Sequence, residues 1–155
     1  MEYMHNIYNY KKLKLINLNF NRRKFFRLEL RNTEYSKLSI VEINGKKIET
    51  KYANIRIKDI GPSGLAFISK LDFPNDENIL FKFVTKILNK TIEVKGNIVR
   101  KNKYEDSVIF QYGVKFKLDK NEEIRYQELL KNILIESRRL NKYNYYYTPL
   151  NKLQI

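Results

Sequence analysis

Hydrophobic and polar residues alternate with period two along most of the chain between residues 25 and 118. Phe26, Leu28 and Leu30 alternate with Arg27, Glu29 and Arg31, the pattern of a half-buried strand over 25–31. A second run, 37–43, breaks at Asn44-Gly45, the strongest two-residue hairpin signal, and 46–50 reads as its return. Residues 52–60 set Ile55 and Ile57 against Arg56 and Lys58, and "GPSG" (61–64) follows, with proline placed for a type I turn. "LAFISKL" resumes the sheet and "DFPNDEN" (72–78) reads as a polar loop. The runs 79–88 and 91–101 suggest a long hairpin turning at Asn89-Lys90. The clearest alternation places Val108, Phe110, Tyr112, Val114, Phe116 and Leu118 on one face.

At Asp119 the period changes. Asp119 and Glu122 have the spacing of a capping box. Tyr126, Leu129, Leu130, Ile133 and Leu134 then recur on one helical face that closes near Leu140. Successive strands followed by one amphipathic helix predict an all-β domain with a C-terminal helix: an antiparallel sheet closed as a barrel, with the helix over one opening. Residues 1–20 form a Tyr- and Lys-rich leader, 21–140 the barrel with its helix, and 141–155 a Tyr-rich tail. The tyrosines at both ends suit a partner surface, packing or plain chain ends equally.

Composition narrows the chemistry. With 155 residues and a hydrophobic fraction of 43%, the chain supports one domain with a core. It has no cysteine and one histidine, His5, so disulfides, thiolate metal sites, multi-imidazole metal sites and Ser–His–Asp catalysis are not expected. No phosphate-cradling Gly-rich loop occurs, and Glu122-Glu123 fall in the first helical turn, where acidic residues favour the helix dipole. The reading is therefore non-enzymatic, without metal or cofactor. No apolar run spans a bilayer and no signal peptide is visible, so a cytoplasmic protein is expected. The net charge of +14 favours anionic partners, although a lysine-rich composition alone would produce much of it.

The sharpest charge cluster is "NRRKFFRLEL" (21–30), with Arg22, Arg23, Lys24 and Arg27 where a strand enters the sheet. Arg23 and Arg27 are about 13 Å apart on an extended chain. That separation suits a ligand with two phosphates, or a phosphate and a planar base, because guanidinium forks onto phosphate and stacks on aromatic faces. It equally suits a solvated, charged strand end. In "DIGPSG" (59–64), Asp59 can accept two N–H bonds of the kind guanine's N1–H and N2–H2 edge offers. Gly61 and Gly64 permit close backbone approach or positive φ. An ordinary turn with a local Asp cap fits that segment as well.

Taken together these residues resemble the PilZ domain family. Arg23-Lys24-Phe25-Phe26-Arg27 fits its R-x-x-x-R element, with Arg22 as the extra arginine common before it. Asp59 and Gly64 fit its [D/N]-x-[S/A]-x-x-G element, and "LAF" and "YGVKF" (112–116) look like PilZ strands. The resemblance covers about residues 21–120. It implies a six-stranded barrel that binds cyclic di-GMP (c-di-GMP), a bacterial second messenger with two phosphates and two guanines. Arg22, Arg23 and Arg27 would hold phosphates and stack on guanine, Asp59 would read a guanine edge, and Gly64 would allow close backbone approach. Ligand phosphates would neutralise the arginines and fold the leader over the barrel, presenting a changed surface to an unidentified protein partner. Gly61 stands where the family has Ser or Ala, and a missing serine hydrogen bond costs about 1 kcal/mol, roughly fivefold in affinity. The segment between the motifs, 28–58, is slightly longer than usual. The alternatives are a basic barrel that binds nucleic acid and a PilZ-fold adaptor that does not bind the nucleotide.

Overall fold

The computed structural model describes residues 13–15, 27–30 and 35–144, with side chains for 27–30 and 35–139. Arg22, Arg23, the rest of the leader and the tail from 145 onward lie outside the described residues. The elements are β1 (Leu13–Leu15), β2 (Leu28–Leu30), β3 (Ser36–Ile43), β4 (Lys46–Lys47), β5 (Ala53–Ile60), β6 (Gly64–Ser69), β7 (Ile79–Ile87), β8 (Lys90–Lys103), β9 (Phe110–Phe116) and α1 (Lys120–Asn144).

Strands β3, β5, β6, β9, β8 and β7 follow one another around a ring that closes where β3 pairs with β5. This is the expected six-stranded antiparallel barrel, because all six junctions are antiparallel. Alternation drives it. Along β7, Ile79, Phe81, Phe83 and Ile87 point inward and are buried, with polar or half-buried residues between them. Three register shifts, in β3, β5 and β8, bend the strands as closure requires.

Outside the ring, β2 lies along the part of β5 that β3 leaves unpaired. Leu28 and Glu29 face Ile60 and Asp59, whereas Ser36 to Leu38 face Ile55 to Ala53. Strand β1 pairs with β2, so residues 13–15 of the leader belong to the sheet. The period-two reading begins at residue 25 and assigns no strand to the leader.

Several boundaries differ from the pattern. Asn44 and Gly45 turn with φ of 50° and 81°, the all-positive geometry of a tight hairpin, but the return strand is only Lys46–Lys47. The chain then leaves the edge, and the Thr50 hydroxyl accepts the Ile40 N–H at 2.8 Å in place of a backbone partner. The next hairpin turns at Leu88-Asn89, one residue early, because Leu88 keeps its side chain against the core. The expected polar loop at 72–78 sends Phe73 inward, edge-on to Tyr112 with centroids 5.6 Å apart. The buried Tyr112 hydroxyl holds that loop, donating to the Leu71 carbonyl at 2.6 Å and accepting the Phe73 N–H at 2.8 Å. Val108 lies outside β9 and is exposed, so the shared face begins at Phe110.

Helix α1 starts on the expected capping box. The Glu122 N–H donates to the Asp119 carboxylate at 2.8 Å, and the Asp119 N–H to the Glu122 carboxylate at 3.2 Å. The first of these bonds chiefly holds the Asp119 carboxyl below its usual range. The helix runs to Asn144, one turn beyond the predicted end, and Tyr126, Leu130 and Ile133 join the core that fills the barrel.

Candidate functional site

The site begins with a change of phase in β5. Ile55 and Ile57 are buried and strict alternation would bury Asp59 next. Instead the register slips between Ile57 and Asp59, so that Ile60 turns inward and Asp59 outward. A bulge here re-aims one side chain, and the chain uses it to keep a carboxylate out of the core.

Strand β2 supplies the cation. Leu28 and Leu30, both buried, fix β2 against the sheet, which places the preceding residue, Arg27, beside Asp59. The Arg27 guanidinium donates from Nη1 to Asp59 Oδ1 at 2.5 Å. The two side chains retain 24% and 16% of their exposure, so the pair is shielded enough to hold its geometry yet open to an incoming ligand. The bond uses one nitrogen and one oxygen. Further guanidinium donors and the second carboxylate oxygen have no partner among the described residues. The structure thus brings together Arg27 and Asp59, 32 residues apart in sequence.

The turn after Asp59 is anchored from three sides. The Gly61 N–H donates to the Gly64 carbonyl at 2.9 Å, and the Phe116 N–H donates to the Ser63 carbonyl at 2.9 Å. The Tyr126 hydroxyl donates to the Gly61 carbonyl at 2.6 Å. Neither Gly61 nor Gly64 has positive φ. The close approach at Gly64 is that of β9: a Cβ there would sit 2.2 Å from the Val114 carbonyl oxygen.

Helical spacing marked Tyr126 as part of a buried face, but nothing in the pattern indicated its bond to this turn. Its hydroxyl is pushed well above the usual range for tyrosine by burial, and the nearby Arg27 charge acts in the opposite direction. It therefore stays protonated and a donor. Tyr126→Phe is expected to lower stability by about 1–2 kcal/mol, because the Gly61 carbonyl loses a buried partner. Urea unfolding should show a lower midpoint at unchanged slope; an unmoved midpoint would mean that solvent replaces the hydroxyl fully.

A groove of about 640 Å³ opens elsewhere on β5 and β6, at Tyr35, Arg56, Lys70 and Leu71. Its described lining includes neither Arg27 nor Asp59 and contains no carboxylate. The geometry built by the bulge and by β2 makes the ion pair the stronger candidate. No group of side chains able to hold a metal ion occurs among the described residues, and no helix among them is long and apolar enough to cross a membrane.

The family model of the PilZ domain matches residues 21–135, which include both arms of this ion pair. The chain belongs to the PilZ domain family. Several solved structures share its fold. The PilZ domain of Escherichia coli YcgR with c-di-GMP is 13% identical, with a TM-score of 0.52 over 78% of this chain and 98% of that one. K. pneumonia MrkH in complex with c-di-GMP is 19% identical, with a TM-score of 0.52 over 76% of this chain and 55% of that one. The Bacillus subtilis inhibitor of motility, MotI/DgrA, is 17% identical, with a TM-score of 0.50 over 78% and 53%. This PilZ chain thus spans about half the length of MrkH and MotI. No curated protein matches it.

Proposed function

We propose that this PilZ protein is a non-catalytic, cytoplasmic receptor for cyclic di-GMP that presents its liganded state to a protein partner. The observation carrying this reading is the Arg27–Asp59 pair, poised at the sheet's outer edge by β2 and the β5 bulge. A guanidinium beside a carboxylate offers complementary groups to a guanine nucleotide: the cation for phosphate or the base face, the anion for N1–H and N2–H2. Two PilZ structures of the same fold, those of YcgR and MrkH, contain c-di-GMP.

Arg22 and Arg23 lie between β1 and β2 in sequence, outside the described residues, and on this reading they join Arg27 in holding the ligand phosphates. Ligand phosphates neutralise Arg22, Arg23 and Arg27 and fold the leader over the barrel, a change driven by contacts made only in the bound state. Gly61 presents no side-chain donor, and its backbone N–H and carbonyl are already paired with the Gly64 carbonyl and the Tyr126 hydroxyl, so the family's serine hydrogen bond is forgone at a cost of roughly fivefold in affinity.

Isothermal titration calorimetry of the full chain with c-di-GMP at moderate salt tests the receptor reading. Micromolar or tighter binding is expected. The absence of heat from a folded sample would leave a PilZ-fold adaptor or a nucleic-acid binder. Hydrogen exchange tests the mechanism: ligand should slow exchange across residues 10–27, and equal rates with and without bound ligand would rule out the closure.

A further inference from the structure

Tyr35, Arg56 and Ile68 stand side by side on the outer surface of the barrel, toward the end of β5 away from Asp59. Ser36 faces Ile55, which brings Tyr35 to Arg56, and Arg56 pairs with Ile68 of β6. The groove of about 640 Å³ opens along this row, a volume within the usual range for a binding cleft. Its apolar side chains reach solvent: Tyr35 is 61% exposed and Leu71 49%. Val108, next to Ile109 of the lining, is exposed as well.

Arg56 and Lys70 are the cations of the lining, and both are exposed. The Arg56 guanidinium lies over the Tyr35 ring, 4.9 Å from its centroid. That stack occupies the flat face of the guanidinium and leaves its in-plane N–H donors open, held ready for a carboxylate. Neither Arg56 nor Lys70 has an ion pair or hydrogen bond among the described residues. Cations elsewhere on the barrel are engaged: Lys82 with Glu93, Lys101 with Asp72, and Lys58 with the Tyr104 hydroxyl. The described lining of the groove carries no carboxylate, so its occupant must bring the negative charge as well as an apolar group.

The charge argues for a different protein. In this chain, residues 1–12, 16–26 and 145–155 hold one carboxylate side chain, Glu2, against Lys11, Lys12, Arg22, Arg23, Lys24 and Lys152. A second copy carries the same net charge of +14. A guanine nucleotide finds no carboxylate here for its N1–H and N2–H2 edge.

We propose that this groove docks an acidic segment of a partner protein. One aliphatic or aromatic side chain of that segment packs between Tyr35 and Leu71, and its carboxylates meet Arg56 and Lys70. Arginine and tyrosine at the centre of an apolar cleft are the residues that dominate such interfaces. The proposal gives the partner of the receptor reading a chemical class. It uses none of the residues assigned to the nucleotide, so the two readings can fail separately.

Selection of short random peptides from a displayed library on the full chain, without nucleotide, tests this, followed by anisotropy titration of the selected peptides. They are expected to carry several Asp or Glu residues around an aliphatic or aromatic one. Arg56→Glu should weaken such a peptide by about tenfold or more, and Leu71→Ser by several-fold. Lys86→Glu makes the same charge change at an exposed position of β7 outside the groove and should leave affinity within about twofold. Thermal melts will confirm that the variants are folded. Recovery of no peptide, or of peptides without acidic residues, overturns the proposal. Equal losses in Arg56→Glu and Lys86→Glu also overturn it, because the peptide would then respond to net charge alone. Unchanged binding to Leu71→Ser removes the apolar anchor and the proposal with it. An oligothymidylate that binds more tightly than the peptide and is weakened by Arg56→Glu would make the groove a nucleic-acid site instead. Because nucleotide is absent throughout, a chain that binds the peptide but not c-di-GMP keeps this proposal and loses the receptor reading.

Discussion

Asp59→Ala is expected to weaken c-di-GMP binding at least a hundredfold while leaving a folded barrel. Two charge-assisted hydrogen bonds to a guanine edge contribute about 1.5–3 kcal/mol each, so losing both removes about 3 kcal/mol or more, beyond two decades in affinity. The substitution also releases Arg27 from its 2.5 Å bond. Because both side chains keep some exposure (24% and 16%), the stranded cation can reach water, and the stability cost is expected to stay near 1 kcal/mol. Asp59→Asn separates the contributions: it keeps an acceptor but loses the charge and should fall between wild type and Asp59→Ala. The measurement is a calorimetric titration paired with a thermal melt. Unchanged affinity in folded Asp59→Ala would place the ligand elsewhere, with the groove at Tyr35 and Arg56 the first place to look.

Gly64→Ala is expected to have the largest effect on stability. Its Cβ would stand 2.2 Å from the Val114 carbonyl oxygen, a contact that neither a rotamer change nor a small side-chain shift can relieve. Strand β6 would have to separate from β9 at a junction in the closed ring. The expected cost is about 3 kcal/mol, at the upper end of overpacking, or a fall of roughly 10 °C in Tm. Gly45→Ala is the control. No atom lies within 4 Å of a Cβ there, but φ is +81°, so only local strain, about 1 kcal/mol, is expected. A Gly64→Ala variant that melts with the wild type would show that β6 and β9 move apart at little cost. The comparison bears on function too. The last glycine of the PilZ-like motif is required by strand packing, whatever it does for a ligand.

The fold was legible because period-two alternation and the helical period each point to one buried face, and the runs at β7 and β9 are nearly uninterrupted. Arg27 and Asp59 were brought together only by the resemblance to the two PilZ motifs, because each alone suits a charged strand end or a capped turn as well. The bulge that aims Asp59 also left a trace: buried positions step from Ile57 to Ile60, out of phase by one. Tyr126 was legible only as an apolar face, since helical spacing says nothing about which carbonyl its hydroxyl will meet. Phe73 was hidden in a polar segment, where one aromatic among Asp, Asn, Glu and Pro carries no period.

Strand β2 stands outside the closed ring, because the barrel is completed through β3 and β5 without it. On the proposed receptor reading, sensing and structural integrity are thereby separated, as a latch is separate from the box it closes. Releasing the three residues that carry Arg27 to Asp59 would expose two core leucines, yet every junction of the closed ring would remain paired. On that reading, sequence drift in the arm would retune the response to ligand and leave the closed ring paired.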